Sequence, residues 1–351
     1  MWTILLGVLV ALSSLPAVAP AGEAGVRIAF GSCLRQWQPQ PVWQAILDAD
    51  PDVFLFLGDN VYTDIGPYRT APEPERIARA YEELGRQPGY LALRRRTPVF
   101  AIWDDHDYGR DNAGADYPWK ETSEAHFLDF FNVPADAEER ARPGTYAVRY
   151  LGDGAHRVQL LLLDTRYFRS PLRFGEPDPA CPRVNLLPET DAGATLLGAQ
   201  QWRWLEARLR EPARLRIIAS SIQVIPDGHC FEKWANFPRE RERLFDLIRS
   251  TGAAGVVIVS GDRHLAEISR LPGDRVGYPL YEITASGMNS AGAGKGEQNP
   301  YRVTPDNVRR DNFGMILVDW EQEDVPIWLQ IRDSEGNIVQ QTGIRLSDLR
   351  R

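Results

Sequence analysis

Cysteine is scarce in this sequence, with three among 351 residues. That is too few for a fold held by a disulfide framework. Positive charge is also short: 40 Lys and Arg face 48 Asp and Glu, a formal net charge of −8. Such a balance counts against a nucleic-acid surface read from bulk charge. It leaves a phosphate substrate open, because bound cations can reverse the sign of a pocket locally. Beyond the first stretch, no apolar run is long enough to span a bilayer. The chain shows no internal repeat, no low-complexity tract and no linker that marks a clean boundary. What is present is ordinary globular material, 43% hydrophobic and 25% charged. One domain with loop insertions is the simplest expectation.

Residues 1–21 (MWTILLGVLVALSSLPAVAPA) read as an export leader that is not part of the fold. Trp2 to Leu12 is apolar, Pro16 breaks the run, and Ala17-Val18-Ala19 and Ala19-Pro20-Ala21 both suit a signal peptidase. The absence of Lys and Arg departs from the charged start usual in such a leader, and the stretch has no twin-arginine pair. That points to the general secretory route, with the mature chain (22–351) in the periplasm or outside the cell. The alternative is a buried N-terminal helix or a retained anchor. In an exported protein Cys181 and Cys230, both in polar loops, could pair; the sequence leaves their proximity open.

The chemistry gathers at strand ends. Val53 to Leu57 (VFLFL) is a short apolar run that stops at Gly58 and empties into Asp59, Asn60, Tyr62 and Asp64. PVFAI, 98–102, runs into Trp103-Asp104-Asp105-His106-Asp107, and GVVIVS, 255–260, into Gly261-Asp262-Arg263-His264. Continuous apolar runs of this kind read as buried strands of a parallel or mixed sheet. Open α/β sheets place their chemistry beyond the carboxyl ends of such strands. A fourth strand, 26–30, stops at Gly31-Ser32-Cys33. Helices are expected near 41–48, 76–84, 91–96, 122–131, 198–210 and 239–249, and a hairpin across 146–164. The late strands 281–285, 315–319 and 327–331 suggest a β-rich tail closing a second sheet. Residues 111–142 look like an insertion over one side of the site. Residues 169–195 form a Pro-rich loop of the functional kind.

Asp59 can bridge two cations with its two oxygens. Asp105, His106, Asp262 and His264 add the carboxylates and imidazoles that Zn, Fe or Mn accept. A two-metal site activates water and clamps the oxygens of a displacement at phosphorus. Other readings of the same residues exist. Cys33 could be a buried small hydrophobe, or a nucleophile in a Gly-Ser-Cys turn, which would need a base and leave the aspartates idle. Tyr62 could be packing. A carboxylate-pair glycosidase using Asp104, Asp105 and Asp262 leaves Cys33 and His264 unexplained. His126, His156 and His229 read as surface or capping residues.

These motifs resemble the calcineurin-like metallophosphoesterases, and within them the PhoD-like (alkaline phosphatase D) branch. Gly58-Asp59 is similar to the block of the bridging aspartate. Asp104-Asp105-His106-Asp107 stands at the Gly-Asn-His-Asp/Glu block, with Asp105 as ligand and His106 as proton donor. Gly261-Asp262-Arg263-His264 stands at Gly-His-x-His. The opening Asp-x-His of the superfamily is replaced by Gly31-Ser32-Cys33, the PhoD-like variant with a thiolate, and Tyr62 matches that branch's tyrosine ligand. Asp164-Thr165-Arg166-Tyr167, the segment around Gln200 and Trp202, and Glu232-Lys233-Trp234 also look like the branch. The superfamily's separate histidine ligand has no counterpart here, and Ser220, Ser221 and Gln223 occupy that region.

The resemblance implies two mixed β-sheets packed face to face with helices outside, a four-layer sandwich. It implies an exported metal-dependent phosphoesterase acting on monoesters or diesters, with phospholipid a further substrate class of the same chemistry. His106, paired with Asp107, is expected to protonate the leaving group. Asn112 and Arg166 are expected as weak substrate contacts. The expected ligands are Cys33, Asp59, Tyr62, Asp105, Asp262 and His264. One thiolate beside a phenolate, a carboxylate and an imidazole suits Fe³⁺, and the oxygen-only set suits Ca²⁺; the resemblance implies the same pairing, with Zn²⁺ or Mn²⁺ as alternatives. A non-catalytic phosphate- or metal-binding envelope protein on this fold is the competing function; it would have no need of His106.

Overall fold

A computed structural model describes residues 25–70 and 73–351. The expected leader lies outside them. In chain order the strands are β1 (Gly25–Gly31), β2 (Val53–Leu57), β3 (Val99–Ile102), β4 (Ala147–Leu151), β5 (Val158–Leu162), β6 (Arg173–Phe174) and β7 (Leu186–Leu187). They continue as β8 (Leu215–Ser220), β9 (Val256–Ser260), β10 (Ala266–Leu271), β11 (Leu280–Ala285), β12 (Asn312–Asp319), β13 (Pro326–Asp333) and β14 (Ile338–Arg345). The helices are α1 (Val42–Asp48), α2 (Glu75–Gly85), α3 (Pro88–Arg96), α4 (Asp105–Tyr108), α5 (Lys120–Phe130), α6 (Gly198–Leu209) and α7 (Pro238–Thr251).

The strands build two six-stranded mixed sheets, in the orders β14-β13-β12-β1-β2-β3 and β10-β11-β9-β8-β5-β4. β2 shows why its sequence is apolar throughout. It pairs in parallel with β1 and β3 and is buried on both faces. Leu55 and Leu57 point into the core shared with the second sheet, whereas Phe54 and Phe56 face α1 and α3. Each such side chain contributes about 1.5–3 kcal/mol by leaving water. α2 buries Ile77, Ala80, Tyr81 and Leu84 at helical spacing. α7 opens on Pro238 and stops at Gly252, whose φ of 70° suits a left-handed cap.

The hairpin β4–β5 forms as expected. The tail differs from expectation. Only β11 joins the second sheet; β12, β13 and β14 return to the first, with β12 antiparallel to β1. The 169–195 loop carries the small β6–β7 hairpin, and a disulfide joins Cys181 to Cys230.

The carboxyl ends of the central strands of both sheets meet at one edge. Ser32, just past β1, bridges Ser286, just past β11. Gly261 sits so close that an added Cβ would stand 2.6 Å from Ser32 Oγ and 2.8 Å from Leu57 O. At Gly58, with φ 93°, an added Cβ would strike Asp104 Cβ at 2.5 Å. Close approach of these loops is what those two glycines permit.

Candidate functional site

Four of the expected ligands sit on strained backbone. Cys33, Asp59, Asp262 and His264 have φ of 58°, 50°, 69° and 54°. Cys33, Asp59 and Asp262 each stand two residues past a strand, where a left-handed residue turns the chain sharply. Such conformations cost about 1–3 kcal/mol each and cluster at functional sites.

The strain brings the side chains together. The Cys33 thiol donates to Asp59 Oδ2 at 3.4 Å and contacts Ser286 Oγ at 3.0 Å. The Tyr62 hydroxyl donates to Asp59 Oδ2 at 3.1 Å and lies 2.9 Å from His264 Nε2. Ligand atoms of Cys33, Asp59 and His264 lie within 4.8 Å of one another; so do those of Asp59, Asp105 and His106, and those of Asp104, Asp105 and Asp262. Asp59 and Asp105 thus link the three sets. The six expected ligands are all in this one cluster.

Electrostatics describe a cluster that wants positive charge. Burial drives the pKa values of Asp59 and Asp262 well above the usual carboxylate range and that of Asp104 up to about 7. Burial also pushes the Cys33 thiol up to about 11. Burial, with Arg35 and His106 nearby, lowers His264 to about 4. Asp59 Oδ1 and Asp104 Oδ2 are buried without any hydrogen-bond partner. Orphaned buried carboxylate oxygens in a cluster with a thiol, a phenol and an imidazole fit metal cations.

Several expected roles are corrected. Asp107 does not pair with His106. It turns inward at the start of α4, where its Oδ1 accepts the N–H groups of Asp104 at 2.6 Å and Asp59 at 3.3 Å, and its Oδ2 accepts from Asn60 at 2.6 Å. The partner of His106 is Asp64, 2.6 Å from Nδ1. Asp64 also accepts the Asp111 N–H at 2.7 Å. Burial opposes charge on His106, but Asp105, Asp59 and Asp64 outweigh it and raise its pKa well above the ordinary value. Arg166 is not free to reach a substrate. It is fully buried and bonded to Asp104 and to Glu232, the latter at 2.6 Å. Asn112 contributes its backbone N–H, which holds Asp105 Oδ2 at 2.6 Å. His229 is not a surface residue; it is buried with both ring nitrogens unpartnered.

Sequence reasoning missed Asp64 and Asp104 as members of the site. Asp104 Oδ1 accepts from Arg166 Nε and from Ser221 Oγ, both at 2.6 Å, while Oδ2 is buried without a partner. Ser221 therefore stands behind a carboxylate in the region where the superfamily's separate histidine would be.

The model of the PhoD-like phosphatase family matches residues 28–325. Alkaline phosphatase D of Bacillus subtilis (strain 168) is 22% identical over 297 residues, which cover 74% of this chain and 49% of that protein. The chain thus spans about half the length of that relative. A solved structure of PhoD superposes with a TM-score of 0.68 at 19% identity, covering 92% of this chain and 69% of that one. GAP50, the anchor in the inner membrane complex of Plasmodium, superposes with a TM-score of 0.58 at 10% identity, covering 92% of this chain and 89% of that one. The two likenesses support the fold, and with residues 28–325 matched by its model the chain belongs to the PhoD-like phosphatase family.

Proposed function

We propose that this chain is a metal-dependent phosphoesterase that hydrolyses phosphate monoesters or diesters. The observation that carries the reading is the pair of orphaned buried oxygens, Asp59 Oδ1 and Asp104 Oδ2, within one cluster that His106 borders. Cys33, Tyr62, Asp59 and His264 would hold one cation; Asp59, Asp105, Asp262 and Asp104 would hold the other. Bound there, cations supply Lewis acidity toward a phosphoryl oxygen and a nucleophile from water at neutral pH.

The remaining work belongs to the chain itself. Asp64 holds His106 at Nδ1, and its charge favours a proton on the ring. Its other nitrogen would give that proton to the departing alkoxide, a contribution of about 10²–10⁴-fold. Asp107 and Asn112 fix the loops that carry Asp59 and Asp105.

The soft and phenolic set favours Fe³⁺ and the all-oxygen set Ca²⁺. Phenolate and thiolate on ferric iron would colour the protein, and Tyr62→Phe would shift or bleach the colour. Export is part of the proposal, supported by the Cys181–Cys230 disulfide, a bond of oxidising compartments. A panel of monoesters, diesters and phospholipids, with Ca²⁺, Fe, Mn²⁺ and Zn²⁺ supplied in turn, tests the reading. Turnover of at least one ester that depends on metal is the expected result. Metal-replete protein inert on the whole panel would favour the non-catalytic binder instead.

A further inference from the structure

The rim of the cluster carries a cation that the fold itself leaves unused. Arg35 lies just beyond Cys33 on the loop leaving β1. Its guanidinium carbon stands 5.8 Å from the centre of the Tyr62 ring, the phenol that contacts both Asp59 and His264. The His106 ring lies against the same phenol, with centroids 4.5 Å apart. Arg35 Nε is buried and has no hydrogen-bond partner, and among the described residues no carboxylate pairs with the side chain. Neighbouring arginines are all engaged: Arg166 and Arg169 hold Glu232, and Arg263 holds Glu297.

The backbone of Arg35 is fixed on purpose-built contacts. Asn289 Oδ1 accepts the Arg35 N–H at 2.8 Å, and Asn289 Nδ2 donates to the Arg35 carbonyl at 2.9 Å. Ser290 Oγ donates to the Cys33 carbonyl at 2.6 Å. One side-chain amide closing both polar groups of a single residue holds that residue in register. The loop after β11 thereby locks the loop after β1.

We propose that Arg35 is a phosphoryl-binding residue, donating to non-bridging oxygens of the ester and of product phosphate over the cluster, with Asn289 as its positioning residue. The proposal rests on the phosphoesterase reading. A guanidinium presents a planar fork of donors that matches phosphate oxygens, and such charge-assisted bonds are the strong ones. Charge in phosphoryl transfer spreads over those oxygens, so the interaction persists through the reaction. If Arg35 only packed on Tyr62, removing it would change stability and leave phosphate affinity alone.

The experiment uses metal-replete protein and p-nitrophenyl phosphate. KM, kcat, inhibition by inorganic phosphate and metal content are measured for wild type, Arg35→Ala, Arg35→Lys and Asn289→Ala. Arg35→Ala should weaken phosphate inhibition and raise KM by about 10- to 100-fold at unchanged metal content. Arg35→Lys should recover part of the loss, and Asn289→Ala should raise KM more than it lowers kcat. Should Arg35→Ala fail to fold, Arg35→Lys carries the test, because a point charge cannot reproduce the fork. Wild-type phosphate affinity in a metal-replete Arg35 variant overturns the proposal while the phosphoesterase reading stands. A metal-replete wild type that neither turns over nor binds phosphate overturns both.

Discussion

Two groups of buried carboxylates in this molecule are built in opposite ways. Glu240 on α7 is surrounded by donors: Thr195 Oγ1 and the N–H groups of Leu196 and Leu197 reach its Oε2, and Trp202 Nε1 reaches both oxygens. Glu282 on β11 is likewise met by Ser260 Oγ and by the N–H groups of Val224 and Ile225. Asp59, Asp104, Asp105 and Asp262 instead gather in linked sets, where Arg166, Ser221 and the Asn112 N–H meet some oxygens and Asp59 Oδ1 and Asp104 Oδ2 have no partner. The first kind ties loops to helices and sheets. The second kind gathers more buried carboxylate than Arg166 and its few donors meet, an arrangement that costs several kcal/mol per unpaired ion unless a cation enters. What surrounds a buried carboxylate, donors or further acceptors, separates structure from site.

The largest effect should come from the residue that links the metal-ligand sets. Asp59→Asn is expected to lose bound metal and to bring phosphatase activity near background, checked by elemental analysis beside turnover. Next, His106→Ala should keep its metals and lose about 10²–10⁴-fold in kcat. The loss should shrink for esters with good leaving groups, which need little protonation. Asp64→Asn should lose less than His106→Ala, whereas a larger loss for Asp107→Asn than for Asp64→Asn would restore the pairing that the structure rejects.

Chelation probes the same contrast through stability. In metal-free protein Asp104 titrates near 7 and Asp59 and Asp262 are raised by burial. The folded state therefore holds protons that the unfolded state releases, and stability falls as pH rises through that window. Cations oppose this, so removing them should lower the thermal midpoint by about 5 °C, and by more at pH 8 than at pH 6. The smallest effect belongs to the donor-rich group. Burial raises Glu282 to about 7 despite its donors. It should contribute a fall in stability between about pH 4.5 and 7. Glu282→Gln should flatten that part of the pH profile and leave activity per folded molecule unchanged.

The strand ends were legible because each couples an apolar run to an abrupt polar turn, and that pattern is local. Cys33, Asp59, Tyr62, Asp105, Asp262 and His264 all belong to such turns, and the structure brings them together. The pairing of His106 with Asp64 was not legible in the sequence. Asp107 follows His106 directly and Asp64 is 42 residues away, so local sequence favours Asp107; the choice depends on α4 turning Asp107 back under Asp104, a matter of one helical turn. Arg166 looked like a loop arginine because burial by a distant carboxylate, Glu232, leaves no trace in local sequence. The return of β12 to β1 joins residues nearly the whole chain apart, which no local period encodes. β14 carries no clear strand pattern because only one of its eight residues is buried and polar Gln, Gln, Thr and Arg make up half of it.

The central claim is that the acceptor-rich cluster is a metal site. Titrating metal into stripped protein, while following bound metal and phosphatase activity together, tests it most directly. The account predicts that activity returns in step with cations bound, and that Asp59→Asn neither binds them with wild-type affinity nor recovers. Full activity in protein shown by elemental analysis to be metal-free, or wild-type metal affinity in Asp59→Asn, would contradict it.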